Sequence, residues 1–175
     1  MEVIIVGLES DTAASAKHDA GDRDRLLKVI EFLFFAYRDF VSDPDAILSD
    51  YGFGRAHHRI LHFVGRNPGI RVAELLDILR ITKQSLGRVL RELIEQGYVY
   101  QEEGREDRRQ RLLYLTPPGD ELRLSLLAPQ LQRVKAAIEA LPDGGRNCEQ
   151  LLFNLINAED REHVARLAVP DRQTG

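Results

Sequence analysis

The chain has 175 residues, of which 43% are apolar and 30% charged, and it carries a net charge of −4 at neutral pH. This balance excludes a disordered chain and suits a globular protein of one domain, or of one domain with extensions. A single cysteine excludes an intramolecular disulfide framework and fits a reducing cytoplasm. No apolar run approaches the roughly 18–20 residues needed to span a bilayer.

The negative total hides an uneven distribution. Residues 55–118 hold 12 basic against 8 acidic side chains, a local +4. Residues 1–54 hold 5 against 11 and residues 119–175 hold 7 against 9, giving −6 and −2. Positive charge gathered in one segment is what contact with phosphates requires, and overall charge is a poor guide to it.

In chain order, the opening M-E-V-I-I-V-G-L is apolar but lacks the basic flank of a signal peptide. Residues 1–23 read as a flexible arm. A long helix is expected from about Asp24 to Val41, with Leu26, Ile30, Leu33 and Tyr37 on one stripe and Leu27, Phe34, Phe35 and Val41 widening it. An apolar surface this wide has to be covered, and a subunit interface is the favoured reading. Asp43-Pro44 is expected to end the helix, because proline disfavours α geometry in the residue before it. Tyr51-Gly52-Phe53-Gly54 reads as a turn, followed by the helix R-A-H-H-R-I-L-H-F-V-G-R-N with Ala56, Ile60, Phe63 and Val64 inward. His58 and His62, at i, i+4, have the spacing of metal ligands but no carboxylate on the same helix, so surface or interface histidines are favoured and no metal is assigned.

Pro68-Gly69 marks the next turn. Val72, Leu75, Leu76 and Leu79 then recur at helical spacing, and only Arg80-Ile81 separates them from Thr82. From Thr82, a plausible N-cap, a second helix places Leu86, Val89, Leu90 and Leu93 on one buried stripe. Gln84, Arg88, Arg91 and Glu95 fall on the opposite side, and Gly97 follows as the C′ residue. Two short strands are expected at Tyr98–Gln101 and Arg111–Thr116, joined by a basic connector that contains Gly104, Arg105, Asp107, Arg108 and Arg109. Helix, tight turn, helix and basic hairpin form a winged helix-turn-helix: the second helix suits a DNA major groove, and the hairpin tip suits the backbone or minor groove. Taken singly, the same features read as a solvated helix and a charged surface hairpin.

After the hairpin, Pro117-Pro118-Gly119 restarts the chain into a helix from Asp120 to about Leu141, kinked at Pro129. Short helices are expected at Cys148–Ile156 and after Asn157, the latter capped by Asn157 with Asp160 at N3. The first helix and these last ones (residues 24–54 and 119–169) are expected to form a helical dimerisation layer around the 55–118 lobe, with 170–175 as a tail. The fold class is mainly α.

The runs I-T-K-Q-S-L-G-R-V-L-R-E-L-I-E-Q-G-Y-V and D-R-R-Q-R-L-L-Y-L-T-P-P-G carry a specific likeness. Over roughly Arg25 to Leu167 the sequence resembles the MarR family of bacterial transcription regulators. Asp107 and Arg109 match that family's Asp-x-Arg wing motif, and Leu115-Thr116 match its strand end. The resemblance implies a homodimer on a pseudo-palindromic double-stranded operator, often released by a small aromatic or phenolic ligand or by oxidation. It places an effector pocket near Phe35, Arg38, His57, His58 and His62. Thiol-sensing relatives carry their cysteine in the first helix, and none lies there in this chain; Cys148 reads as inert.

By residue chemistry, Gln84, Arg88 and Arg91 are the base readers, glutamine suiting adenine and arginine guanine. Thr82, Lys83 and Ser85 at the helix start are the phosphate contacts. Arg105, Arg108, Arg109 and Arg111 serve the wing, with Asp107 orienting an arginine. Gly87 departs from the serine or larger residue of many relatives. The rival reading is a helical protein-interaction module that keeps the fold without operator binding. No Gly-rich phosphate loop, metal-ligand cluster or nucleophile motif favours an enzyme, and no cofactor is expected.

Overall fold

The structure is a computed structural model that describes residues 7–104, 107, 109–142 and 144–168, with side chains described from 21 to 167 apart from those gaps. The chain divides into two units, Met1–Ser42 and Asp43–Gly175. Helix α1 (Gly7–Asp50) runs through the boundary. It starts well before Asp24, so the part of the expected flexible arm that is described, from Gly7 onward, is helical. It also continues through Pro44, where the sequence predicts a stop. A proline inside a helix forfeits one backbone hydrogen bond. Here Pro44 and Leu48 are both fully buried, and their burial offsets that loss. Ion pairs Arg55–Asp45 (2.7 Å) and Arg133–Asp43 (2.8 Å) hold the same end of the helix.

Within the first unit, Leu26, Phe32, Phe34, Phe35 and Tyr37 are all more than half exposed. The stripe is as wide as its sequence indicates, and no described side chain of that unit covers it.

The second unit is built on the winged lobe. Helix α2 (Arg55–Arg66) buries His57, Ile60, Leu61 and Val64. Strand β1 (Ile70–Arg71) leads into α3 (Val72–Leu79) and α4 (Lys83–Glu95), and strands β2 (Val99–Glu103) and β3 (Arg111–Leu115) form the hairpin. The sheet is antiparallel in the order β1-β3-β2, with Ile70 opposite Leu113 and Val99 opposite Leu115. Strand β1 is absent from the sequence expectation, since two residues show no alternation. The turn between α3 and α4 closes on Arg80, the only non-glycine with positive φ among the described residues (50°). The core joins Leu48, Ile60, Leu61, Val64, Leu75, Leu86, Leu93, Leu113 and Leu126.

Helix α5 (Pro117–Glu139) has two of its three prolines at N1 and N2, where a missing N–H costs nothing, and runs on through the third, Pro129; Thr116 caps it by accepting from the Gly119 N–H at 3.1 Å. Gly119 lies against the Tyr98 carbonyl so closely that a methyl group there would overlap the oxygen. Helix α6 (Cys148–Asn154) is shorter than predicted. A single 3-10 turn (Ala158–Asp160) precedes α7 (Arg161–Ala168). Asn157 makes no side-chain cap there, so that expectation is corrected; the Asp160 N–H bonds the Asn157 backbone carbonyl instead. Asp160 itself is ion-paired to Arg80. Leu131, Leu151, Leu152 and Leu155 are each more than half exposed. No helix among the described residues is long and apolar enough to cross a membrane.

Candidate nucleic-acid interface

Helix α4 is anchored by one face and displayed by the other. Leu86, Val89, Leu90 and Leu93 are at most 4% exposed. The four buried side chains fix the helix's rotation, because each is worth roughly 1.5–3 kcal/mol when removed from water. Rotation in turn fixes which residues point out, and Gln84, Arg88, Arg91 and Glu95 are all exposed. The helix begins at a formed cap: the Thr82 Oγ1 accepts from the Ser85 N–H at 3.1 Å and donates to the Ser85 hydroxyl at 2.9 Å. That use of the Thr82 hydroxyl leaves Lys83, the Ser85 hydroxyl and the free N–H groups of the first turn as exposed polar groups beside it. The helix ends at Gln96, followed by Gly97 at φ 78°, a conformation open to glycine.

Arg88 does not stand alone. Its Nη1 donates to Glu92 Oε1 at 2.9 Å, and Glu92 Oε2 lies 2.7 Å from His57 Nε2. The Gly54 N–H donates to His57 Nδ1 at 3.0 Å, so that nitrogen is an acceptor and the ring proton sits on Nε2, donating to Glu92. Phe53 stacks on the imidazole at 4.4 Å. The hydrogen bond from His57, reinforced by the positive charge of Arg88, holds the Glu92 carboxyl below the usual carboxylate range. The His57–Glu92 contact spans 35 positions, and no local sequence signal exposes it. The i, i+4 spacing of Arg88 and Glu92 is such a signal, although Glu92 does not figure among the sequence candidates.

The wing is shorter on visible chemistry. Arg105 and Arg108 lie outside the described residues. The Gly104 N–H donates to the Gln110 carbonyl at 3.0 Å, and Gln110 N–H to that of Asp107 at 3.0 Å, which closes the tip. The Asp107 carboxylate accepts from the Arg109 backbone N–H at 2.9 Å, so this bond shapes the turn and does not orient an arginine side chain. Arg109 is exposed. Arg111 pairs with Glu103 directly across the hairpin at 2.9 Å.

The effector candidates fall in both units. Phe35 and Arg38 belong to the first unit, where the Arg38 guanidinium pairs with Asp39 and sits 5.1 Å from the Phe35 ring centre. In the second unit His57 is a core residue. His62 does border a cavity of about 400 Å³, together with Phe63, Ile78, Arg80, His163 and Leu167. His58 is half-buried and not part of that lining. Burial pushes both His58 and His62 below the ordinary imidazole value, with neighbouring His58, Arg123 and Arg66 adding to the effect at His62. Cys148 is a free, half-buried thiol.

The same arrangement recurs in known proteins. Residues 51–110 match the model of the MarR family. An HTH-type transcriptional regulator, PetP of Rhodobacter capsulatus, is 44% identical over 145 residues, which cover 82% of this chain and 87% of that one. The fold is similar to that of Streptococcus pneumoniae FabT, solved in complex with DNA (TM-score 0.63, 18% identity, covering 75% of this chain and 99% of that one). It is also similar to a crystal structure of MarR (TM-score 0.59, 22% identity, 82% and 92%). A buried stripe that fixes an exposed polar helix, a two-stranded wing behind it and close identity across most of an HTH-type regulator lead to one conclusion: the chain belongs to the MarR family of winged-helix transcription regulators.

Proposed function

We propose that the protein is a homodimeric repressor that binds a pseudo-palindromic operator and is released by a small molecule. The observation that carries the DNA reading is the exposed row Gln84, Arg88 and Arg91 on a helix whose opposite face is locked in the core. These side chains suit base edges in the major groove, while Lys83, Ser85 and the capped N-terminus of α4 suit phosphate. Arg109 and Arg111 on the described part of the wing supply charge toward the backbone, and Arg105 and Arg108 belong to the same basic segment. Dimerisation is supported by the uncovered apolar side chains of α1 and, separately, by those of α5 and α6, which a second copy would cover. For the ligand, the cavity beside His62 is lined by both apolar and charged side chains, a mixture suited to a small aromatic compound with a polar group. A cytoplasmic location follows from the same role.

The test is duplex binding by the full chain at several salt concentrations, with its upstream region and a scrambled duplex as probes. A steep loss with salt on both, together with preference for the upstream duplex, supports the reading. Equal affinity for the two duplexes would remove the sequence-specific part of it.

A further inference from the structure

We infer that Glu92, held by His57, is a positioning residue for Arg88 and so a determinant of sequence discrimination. The inference rests on the reading of α4 as the base-reading helix. Arginine loses rotamer freedom when it engages a base, and a guanidinium that is already oriented loses less. Here one of its five N–H groups is committed to Glu92 Oε1 at 2.9 Å, and the opposite edge remains for a guanine. Glu92 would wander if it were held only by Arg88, whose side chain is 67% exposed. It is held instead from behind by His57, whose side chain is only 7% exposed, at 2.7 Å. The imidazole in turn is fixed by the Gly54 N–H and by the Phe53 ring. The start of α2 therefore sets the aim of a side chain on α4.

The chemistry at position 92 is demanding. Both of its partners present N–H donors, so both of its oxygens must accept. Glutamine offers one acceptor and one donor and satisfies only one end. Aspartate is one methylene short of spanning the two. Glu92→Gln, Glu92→Asp and Glu92→Ala should therefore all loosen Arg88, although the outer face of α4 stays in place.

The full chain is used to select duplexes from a randomised library, and the enriched and scrambled duplexes are then titrated with each variant. Glu92→Ala and Glu92→Gln should lower the ratio of the two affinities roughly three- to tenfold, the cost of ordering one long side chain. They should also flatten the guanine position that Arg88→Ala flattens. In an Arg88→Ala background, Glu92→Ala should change the ratio by less than about twofold, since non-additivity marks residues that act together. His57→Gln, whose amide can still donate to Glu92, should retain more discrimination than His57→Ala. Melting curves establish that each variant folds, and the Glu92 variants carry the test if the His57 variants do not fold. Four outcomes overturn the inference. Glu92→Ala could select the wild-type motif unchanged, or it could tighten all duplexes alike, which would make Glu92 a mere charge screen. An Arg88→Ala variant that keeps the full motif would remove the base-reading premise along with the inference. Failure of the wild-type chain to enrich any motif would overturn the proposed function itself, and the inference with it.

Discussion

Arg88 is central on the outward face of α4 and Arg109 is exposed near the wing tip, and the two should fail differently. Arg88→Ala is expected to cost roughly 1–3 kcal/mol on the preferred duplex and to blur discrimination. Arg109→Ala should weaken preferred and scrambled duplexes alike and flatten the log-affinity against log-salt plot by about 0.9 for each phosphate no longer neutralised. Anisotropy titrations across a salt series measure both. On α2, the half-buried His58 and His62 have folded values held below the ordinary imidazole value by burial. The sign follows: on acidification the unfolded chain takes up protons first, so stability is level above that ordinary value and falls as pH drops through about 6.5. The decline stops once the folded-state histidines are themselves protonated. Glu92 is displaced downward too, and its contribution is lost further into acid, as pH falls through its lowered folded value. Thermal melts from about pH 8 to pH 5 should show the first decline, and His58→Gln with His62→Gln should flatten it. The outward row on α4 is legible in the sequence because four leucine and valine positions fix the helix's rotation. The support behind Arg88 is not, since His57 reaches Glu92 only after α2 and α4 have been packed together.

Elements divide along the same line. Helices α3 and α4 and the hairpin lie close to their expected places, because periodicity, a threonine cap and a glycine exit are local signals. The two-residue strand β1 exists only through its pairing with β3, and α1 passes Pro44 because that proline is buried in the lobe. These are tertiary decisions overriding local preference. Two glycines test the packing from opposite directions. At Gly119 a methyl group would strike the Tyr98 carbonyl, a backbone atom that cannot swing aside. Gly119→Ala should destabilise by about 1–3 kcal/mol in denaturant titration, as overpacking does. At Gly87 a methyl group meets nothing within 4 Å, so Gly87→Ala should stabilise by roughly 0.8–1 kcal/mol through helix propensity alone. A Gly87→Ala variant that melts lower than wild type would show that the outer face of α4 is not free.

For the whole molecule, the apolar side chains of α1 suggest an assembly larger than one chain. Phe32→Glu with Phe34→Glu adds two charges where both rings are about two-thirds exposed, so a monomer should tolerate the change and a dimer should not. Sedimentation at micromolar concentration should show the wild type as a dimer and the variant as a monomer with similar helix content. Full-length monomer in the wild type would defeat the dimer.

The junction at Thr116 bears on how such an assembly would be controlled. One hydroxyl donates to the Gly97 carbonyl just past α4 at 2.6 Å and accepts from the Gly119 N–H in the first turn of α5 at 3.1 Å, while the Thr116 N–H bonds the Tyr98 carbonyl at 3.1 Å. The exit of one helix and the entry of the other thus share a single oxygen. Torque applied along α5 therefore reaches the end of α4 as through a crank, bypassing the hairpin in between. Thr116→Val, which keeps the shape and removes the hydroxyl, should speed amide exchange at the end of α4 and the start of α5 together, whereas Thr116→Ser should leave the joint stiff.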